Sequence, residues 1–254
     1  MFLKSQLSLI TTYRIDLYGR WLLNLFAVML YVALWSVTSG DVADTYKLVA
    51  YFSLYYGVLN NIHSSKVAVW IGQAINSGEL NNFLIKPVYF PLLQIIRGLA
   101  AVLVRIMVPV LIIGLGSVFL PQAFAPLSPI NFLAFVFFTI LGFLIWNMMI
   151  VSVGMIAFLG TEITATLTTL DLVINLAKGA YIPAFFFPLV VTRGLSYTFI
   201  PYLASYPIKL YQEPIVWSEF GFGLTIALVW LVIFSLMAVY SYKVGLKRYE
   251  AAGG

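Results

Sequence analysis

The stretch 131–159, NFLAFVFFTILGFLIWNMMIVSVGMIAFL, runs 29 residues without a charged side chain. A bilayer-spanning helix needs about 20 predominantly apolar residues, so this piece is long enough to cross a membrane at a tilt. A water-soluble chain would have to cover it, and the composition leaves little to cover it with. Of 254 residues, 62% are hydrophobic and only 9% charged, with a mean hydropathy of +1.00. A globular core of this size cannot bury that much apolar surface and still present a polar exterior. The bilayer is therefore the solvent.

Working outward from 131–159, five further apolar segments read as spans, at about 21–37, 48–62, 98–120, 161–181 and 220–242. The predicted fold is an all-α integral membrane protein in one transmembrane domain, 1–254, with six transmembrane helices. Trp21 and Trp35 stand near the two ends of the first span, where interfacial anchors belong. Ahead of it, residues 1–20 place Leu3, Leu7, Ile10, Arg14 and Leu17 at helical spacing among Lys4, Asp16 and Arg20. That pattern predicts an amphipathic interfacial helix, the alternative being a frayed tail. The first apolar span is not followed by a small-residue cleavage site, so no cleavable signal is expected there.

Between the fifth and sixth spans, 182–216 is interrupted by Pro183, Pro188, Pro201, Pro207 and Pro214. It is too broken for a continuous helix and, at 185–191, too apolar for water. A re-entrant helical hairpin fits both facts, because broken backbone at membrane depth survives when buried in protein or lining water. Pro183, Phe186 and Pro188 are the residues expected to form its gate.

The basic residues fall on one side of this arrangement. Lys4, Arg14, Arg20, Lys66, Lys86, Arg97, Lys243, Lys247 and Arg248 flank one set of span ends, and the other set holds Lys47, Arg193 and Lys209. The positive-inside rule then makes both termini and the 63–96 connection cytoplasmic. It also accounts for the formal charge of +5 without a nucleic-acid partner.

Several chemistries are excluded. There is no cysteine, hence no thiol nucleophile or thiolate metal site, and His63 is the single histidine. An intramembrane hydrolase needs clustered carboxylates or histidines, and no span pairs two acids within a turn. No G-x-x-x-x-G-K-[ST] phosphate loop occurs.

Two polar patterns remain. In the fifth span Thr161, Thr164, Thr168, Asp171, Asn175 and Lys178 alternate spacings of three and four, a polar seam on one helix face. An ionisable residue at membrane depth is a functional candidate by default. The seam either faces a translocation pathway or subunit boundary, with Tyr55 and Asn60 of span two, or Asp171 pairs with Arg105 or Lys178 while the threonines bond their own backbone. In the connection after span two, Leu80, Phe83 and Leu84 make a small apolar face between Gly78 and Pro87. A short cytoplasmic helix of this kind fits docking to a soluble partner, or rest on lipid headgroups.

Taken together, Gly78-Glu79-Leu80 with Leu84-Ile85-Lys86-Pro87, the proline-broken piece from Ile182-Pro183 to Pro207, and the tail from Lys247 through Tyr249-Glu250 to Gly253-Gly254 resemble the type-2 ABC exporter permeases, over essentially the whole chain. The resemblance implies a bacterial inner-membrane permease without catalytic residues of its own. It would pair with a second permease, identical or homologous, and dock on two copies of an ABC ATP-binding subunit. ATP and Mg would sit on those partners, with no cofactor on this chain. Gly78, Glu79, Leu80, Phe83, Leu84, Lys86 and Pro87 would form the coupling helix, and the substrate would be an amphiphile such as a lipid, lipid-linked glycan, drug or peptide. The competing function is a secondary transporter or channel subunit, against which stands the lack of duplication between 1–125 and 126–254.

Overall fold

The charge-free stretch becomes the central helix of the molecule. The computed structural model describes residues 14–37, 42–85, 89–159 and 163–249. In chain order these form α1 (Arg14–Ser36), α2 (Val42–Leu54), α3 (Lys66–Asn76), α4 (Asn81–Leu84), α5 (Phe90–Phe119), α6 (Pro121–Phe124), α7 (Pro129–Gly154), α8 (Thr164–Ala177), α9 (Leu189–Ser196), α10 (Ile200–Leu203), α11 (Ser205–Gln212) and α12 (Trp217–Arg248). A 3-10 turn, Met155–Leu159, prolongs α7, and α2 continues through a π-helical turn, Tyr55–Leu59, into Asn60–Ile62. Among the described residues there is no strand.

Four helical stretches are long and apolar enough to cross a membrane: Leu17–Ser36, Phe90–Phe119, Pro129–Leu159 and Trp217–Lys247. At about 1.5 Å per residue, the last three exceed a hydrocarbon core of about 30 Å. The helix that contains the second predicted span runs from Val42 to Ile62 and is less apolar than these because it carries Asp44, Lys47 and four tyrosines. It does not need lipid-facing apolarity. Leu48, Phe52, Tyr55 and Leu59 are almost wholly buried by protein.

Helix α7 packs against α3, α10, α11 and α12 and buries Phe138, Ile145, Trp146 and Ile150 among them. A second apolar cluster is built on α2, where Tyr31 of α1 stacks on Phe52 and Tyr56 at 5.3 and 5.6 Å between ring centroids. The outward faces of α1 and α5 are apolar and exposed, including Leu22, Phe26, Met29, Leu111 and Val118. Large exposed aliphatic faces on long helices are what lipid contact requires.

Both tryptophans of α1 donate to carbonyls that have no helical partner. Pro109 lies inside α5 and has no N–H to give the carbonyl four residues back, which is that of Arg105. The Trp21 indole N–H supplies that bond at 2.9 Å. Trp35 donates to the Tyr181 carbonyl at 3.0 Å, in the non-helical chain beyond α8. The tryptophans expected as interfacial anchors thus tie α1 to its neighbours.

The segment 182–216 is a set of short helices divided at its prolines. It is held to one end of the bundle by Asn131, whose amide donates to the carbonyls of Leu210 and Glu213 at 2.6 and 2.7 Å. The Tyr211 hydroxyl donates to the Phe124 carbonyl at 2.5 Å, and Gln212 to that of Lys47 at 2.9 Å. These bonds gather the starts of α2 and α7, the turn before α7 and the broken segment at one end. Helices α3 and α4 lie at the other. The greater part of the predicted interfacial helix (1–13), together with Thr161, Lys86, Pro87 and the tail from Glu250, lies outside the described residues.

Candidate functional site

A polar cluster joins α2 to α8. Helix α8 stops at Ala177, four residues before the predicted end of the fifth span, and Gly179 follows with φ of +91°. The carbonyls at a helix end lack intrahelical partners. Tyrosines of α2 take that role: Tyr51 donates to the Gly179 carbonyl and Tyr56 to that of Ala180, each at 3.0 Å. Tyr55, between them, donates to the side-chain oxygen of Asn175 at 3.2 Å.

The π-helical turn at Tyr55–Leu59 frees carbonyls of its own, since its bonds span five residues rather than four. Asn61 answers with its side-chain amide, donating to the carbonyls of Tyr56 and Gly57 at 2.9 and 3.0 Å. Arg105 of α5 donates to the Asn61 carbonyl at 3.3 Å. The irregularity in α2 is thereby fully bonded and presents Tyr51, Tyr55 and Tyr56 toward α8.

Deeper along the same seam, the Ser65 hydroxyl lies 2.6 and 2.7 Å from the two carboxylate oxygens of Asp171. Lys178 is 2% exposed, its amine 5.5 Å from the ring centroids of both Tyr55 and Trp146. Cation–π attraction strengthens as water is excluded, so two ring faces are a favourable seat for a buried ammonium. His63 lies against Trp146 at 5.4 Å between ring centroids, with neither ring nitrogen hydrogen-bonded.

Of the residues singled out in the sequence, Tyr55, Asp171 and Asn175 are brought together, and Asn60 is half-buried on the adjoining turn. Thr164 and Thr168 are not: both are exposed, and the Thr168 hydroxyl donates to the Thr164 carbonyl at 2.9 Å. The seam divides because α8 and the preceding Ile163 turn Leu167, Leu170, Ile174 and the side of Asp171 and Asn175 toward the bundle. Tyr51, Tyr56, Ser65 and Trp146 complete the cluster. The tyrosine spacing in span two was a usable signal, but Ser65 had none, standing 106 residues from its partner.

In the 63–96 connection, Gly78 ends α3 with φ of +80°, and the Leu80 N–H then donates to the Ala74 carbonyl at 2.9 Å. This folds α4 back under α3. Leu80 is completely buried and Phe83 packs edge-on against Trp70 at 5.7 Å, so both anchor the elbow. Glu79, Asn81, Asn82, Leu84 and Ile85 form its exposed surface. The predicted three-residue apolar face therefore points mostly inward. At the other end, Pro183 is buried, Pro188 is exposed, and Phe186 stacks on Trp35 at 4.9 Å.

No cluster of three or more His, Cys, Asp or Glu suited to a metal occurs among the described residues. The arrangement is that of a bonded polar seam inside an apolar body, with an exposed elbow at one end. A family model described as "ABC-2 family transporter protein" matches residues 22–253. The chain belongs to the ABC-2 transporter family. Comparison with curated proteins and with solved structures gave no match. As an ABC-2 permease it is a multi-pass membrane protein that serves transport, is not itself catalytic, and associates with ABC ATP-binding subunits.

Proposed function

We propose that this chain is a permease subunit of an ATP-driven exporter of amphiphiles. It crosses the bacterial inner membrane six times with both termini cytoplasmic, pairs with an identical or homologous permease, and docks on two ATP-binding subunits that carry ATP and Mg. The six crossings are the four long apolar helices with α2 and α8. Helix α2 is sheltered by protein, so it need not be as apolar as the rest, whereas α8 buries Leu167 and Ile174 and turns Leu172, Val173 and Leu176 outward. Segment 182–216 dips back into the outer leaflet and caps the exit, with Pro183, Phe186 and Pro188 as its gate.

The observation that carries this reading is the α3–α4 elbow. Its anchors Leu80 and Phe83 are packed into the same core as α7, and only the polar and aliphatic outer surface is offered. A push on Glu79, Leu84 or Ile85 would be delivered to α7 through rigid contacts rather than absorbed by a loop. In the sequence Lys66 and Lys86 flank this elbow, and the positive-inside rule then supports its cytoplasmic placement. In this reading the α2–α8 seam borders the pathway and moves with the elbow, because Ser65 immediately precedes α3.

The test is co-expression with a cognate ATP-binding subunit and capture through the permease. Co-purification of the ATPase, and ATP-dependent movement of an amphiphile into proteoliposomes of inverted orientation, are the expected results. Transport driven by an ion gradient without ATP would favour the secondary-transporter reading instead.

A further inference from the structure

A cavity of about 650 Å³ opens beneath the broken segment, between α9, α11 and the start of α12. That is the size class of sites for small organic ligands, about 300–1,000 Å³. Phe185, Leu189 and Phe222 contribute apolar wall, and Arg193, Lys209, Glu213 and Glu219 bring charge to the same lining.

The four charges are not equivalent. Lys209 and Glu219 satisfy each other in an ion pair of 2.7 Å. Arg193 and Glu213 are both exposed, and among the described residues neither side chain makes an ion pair or hydrogen bond. Glu213 is held in place through its backbone, its carbonyl accepting from Asn131 and its N–H donating to the Lys209 carbonyl at 2.9 Å. The lining thus offers one unpaired guanidinium and one unpaired carboxylate beside an apolar wall.

This combination discriminates by charge. An amphiphile bearing only an anion meets Arg193 but is repelled by Glu213, and one bearing only a cation meets the reverse. A ligand with both groups satisfies both, and a guanidinium is well shaped for phosphate or carboxylate. We propose that this cavity binds a zwitterionic amphiphile, with its anionic group at Arg193, its amine at Glu213 and its apolar tail along Phe185, Leu189 and Phe222. The proposal deepens the exporter reading and rests on it for the direction in which the ligand leaves.

The experiment uses the full chain in a maltoside detergent, with a small environment-sensitive label at Thr192→Cys, since Thr192 lines the cavity and no native cysteine competes. The probes are lysophosphatidylethanolamine (zwitterionic), lysophosphatidic acid (anionic), dodecylamine (cationic) and Nε-lauroyl-lysine, a zwitterion that is not a phospholipid. Lysophosphatidylethanolamine should give a saturable shift with affinity about tenfold above the two single-charge probes. Arg193→Gln should reduce its affinity to that of dodecylamine, and Glu213→Gln to that of lysophosphatidic acid. Equal binding of Nε-lauroyl-lysine assigns the site to zwitterions of either acid, and weak binding assigns it to the phospholipid headgroup. Equal affinity for all four probes, or indifference to both substitutions in protein that still elutes as one species, overturns the proposal. Because binding is read without ATP, its failure leaves ATPase capture by the elbow standing, and the converse also holds.

Discussion

The indole of Trp21 donates to the carbonyl of Arg105, the acceptor that Pro109 leaves without a partner inside α5. A proline that weakens one helix has in this way become the attachment point of another. Trp21→Phe should lower the stability of the purified chain by about 1 kcal/mol, the usual net value of a hydrogen bond. In a Pro109→Ala background, where the helix bond can form, the same change should cost less. A thermal-melt double-mutant cycle measures the difference, and strictly additive effects would show that the two features are unrelated.

Ser65 and Asp171 form the polar tie between the start of the elbow and α8. Ser65→Ala and Asp171→Leu should each reduce transport more than Leu172→Ile, a change on the exposed side of α8. Asp171→Asn keeps an acceptor for the Ser65 hydroxyl and should retain most of the assembly while losing the charge. Full transport with Asp171→Leu would reduce the pair to a tolerated contact.

Lys178 has two ring faces but, among the described residues, no carboxylate within ion-pairing distance. A buried charge without a close partner is costly, and replacing it by an apolar residue of similar length is often neutral or stabilising. Lys178→Met should therefore leave the melting temperature unchanged or raise it, while transport falls if the cation serves the pathway. Loss of both together would mean that the lysine is needed for folding alone.

Gly179 combines a left-handed backbone with the close approach of the Tyr51 hydroxyl, which a β-carbon would strike. Gly179→Ala should destabilise the chain by about 1–2 kcal/mol for the backbone conformation alone, with a further loss from displacing Tyr51. Combining it with Tyr51→Phe should recover part of that loss in a melting experiment.

If the elbow docks the ATPase as proposed, docking and folding are separable there. Leu84→Asp and Ile85→Asp lie on its exposed surface and should abolish ATPase co-purification while the chain still inserts. Leu80→Asp places a charge in a fully buried site and should destabilise the permease itself. If both surface changes leave capture intact, the docking surface is elsewhere.

Four of the six predicted spans were legible because apolar length is a local property. Leu17–Ser36, Phe90–Phe119, Pro129–Leu159 and Trp217–Lys247 could be found from composition alone. The seam on α8 was half legible. Its period placed Asp171 and Asn175 correctly on one face, but Thr164 and Thr168 share that period and lie beyond the neighbouring helix. The elbow misled for a related reason, since an amphipathic pattern marks a buried face as readily as an offered one, and Leu80 is buried. The Trp21–Arg105 bond and the Ser65–Asp171 pair depend on which distant helices meet, which no window of sequence records.

Helix α8 is 14 residues long, about 21 Å at its rise per residue, and so falls short of a full crossing. In the proposed six-crossing arrangement the non-helical chain from Gly179 would supply the remainder, its carbonyls bonded by Tyr51, Tyr56 and Trp35. A crossing made this way has two mechanical characters. Its lower part moves as a rod, whereas its upper part can be released one side-chain bond at a time. Displacement arriving from the elbow at Ser65 would be carried stiffly to Gly179 and there converted into peeling of the non-helical chain from its tyrosine supports. The transmission would end where the cavity begins, since Tyr51 is both the first of those supports and part of the cavity lining.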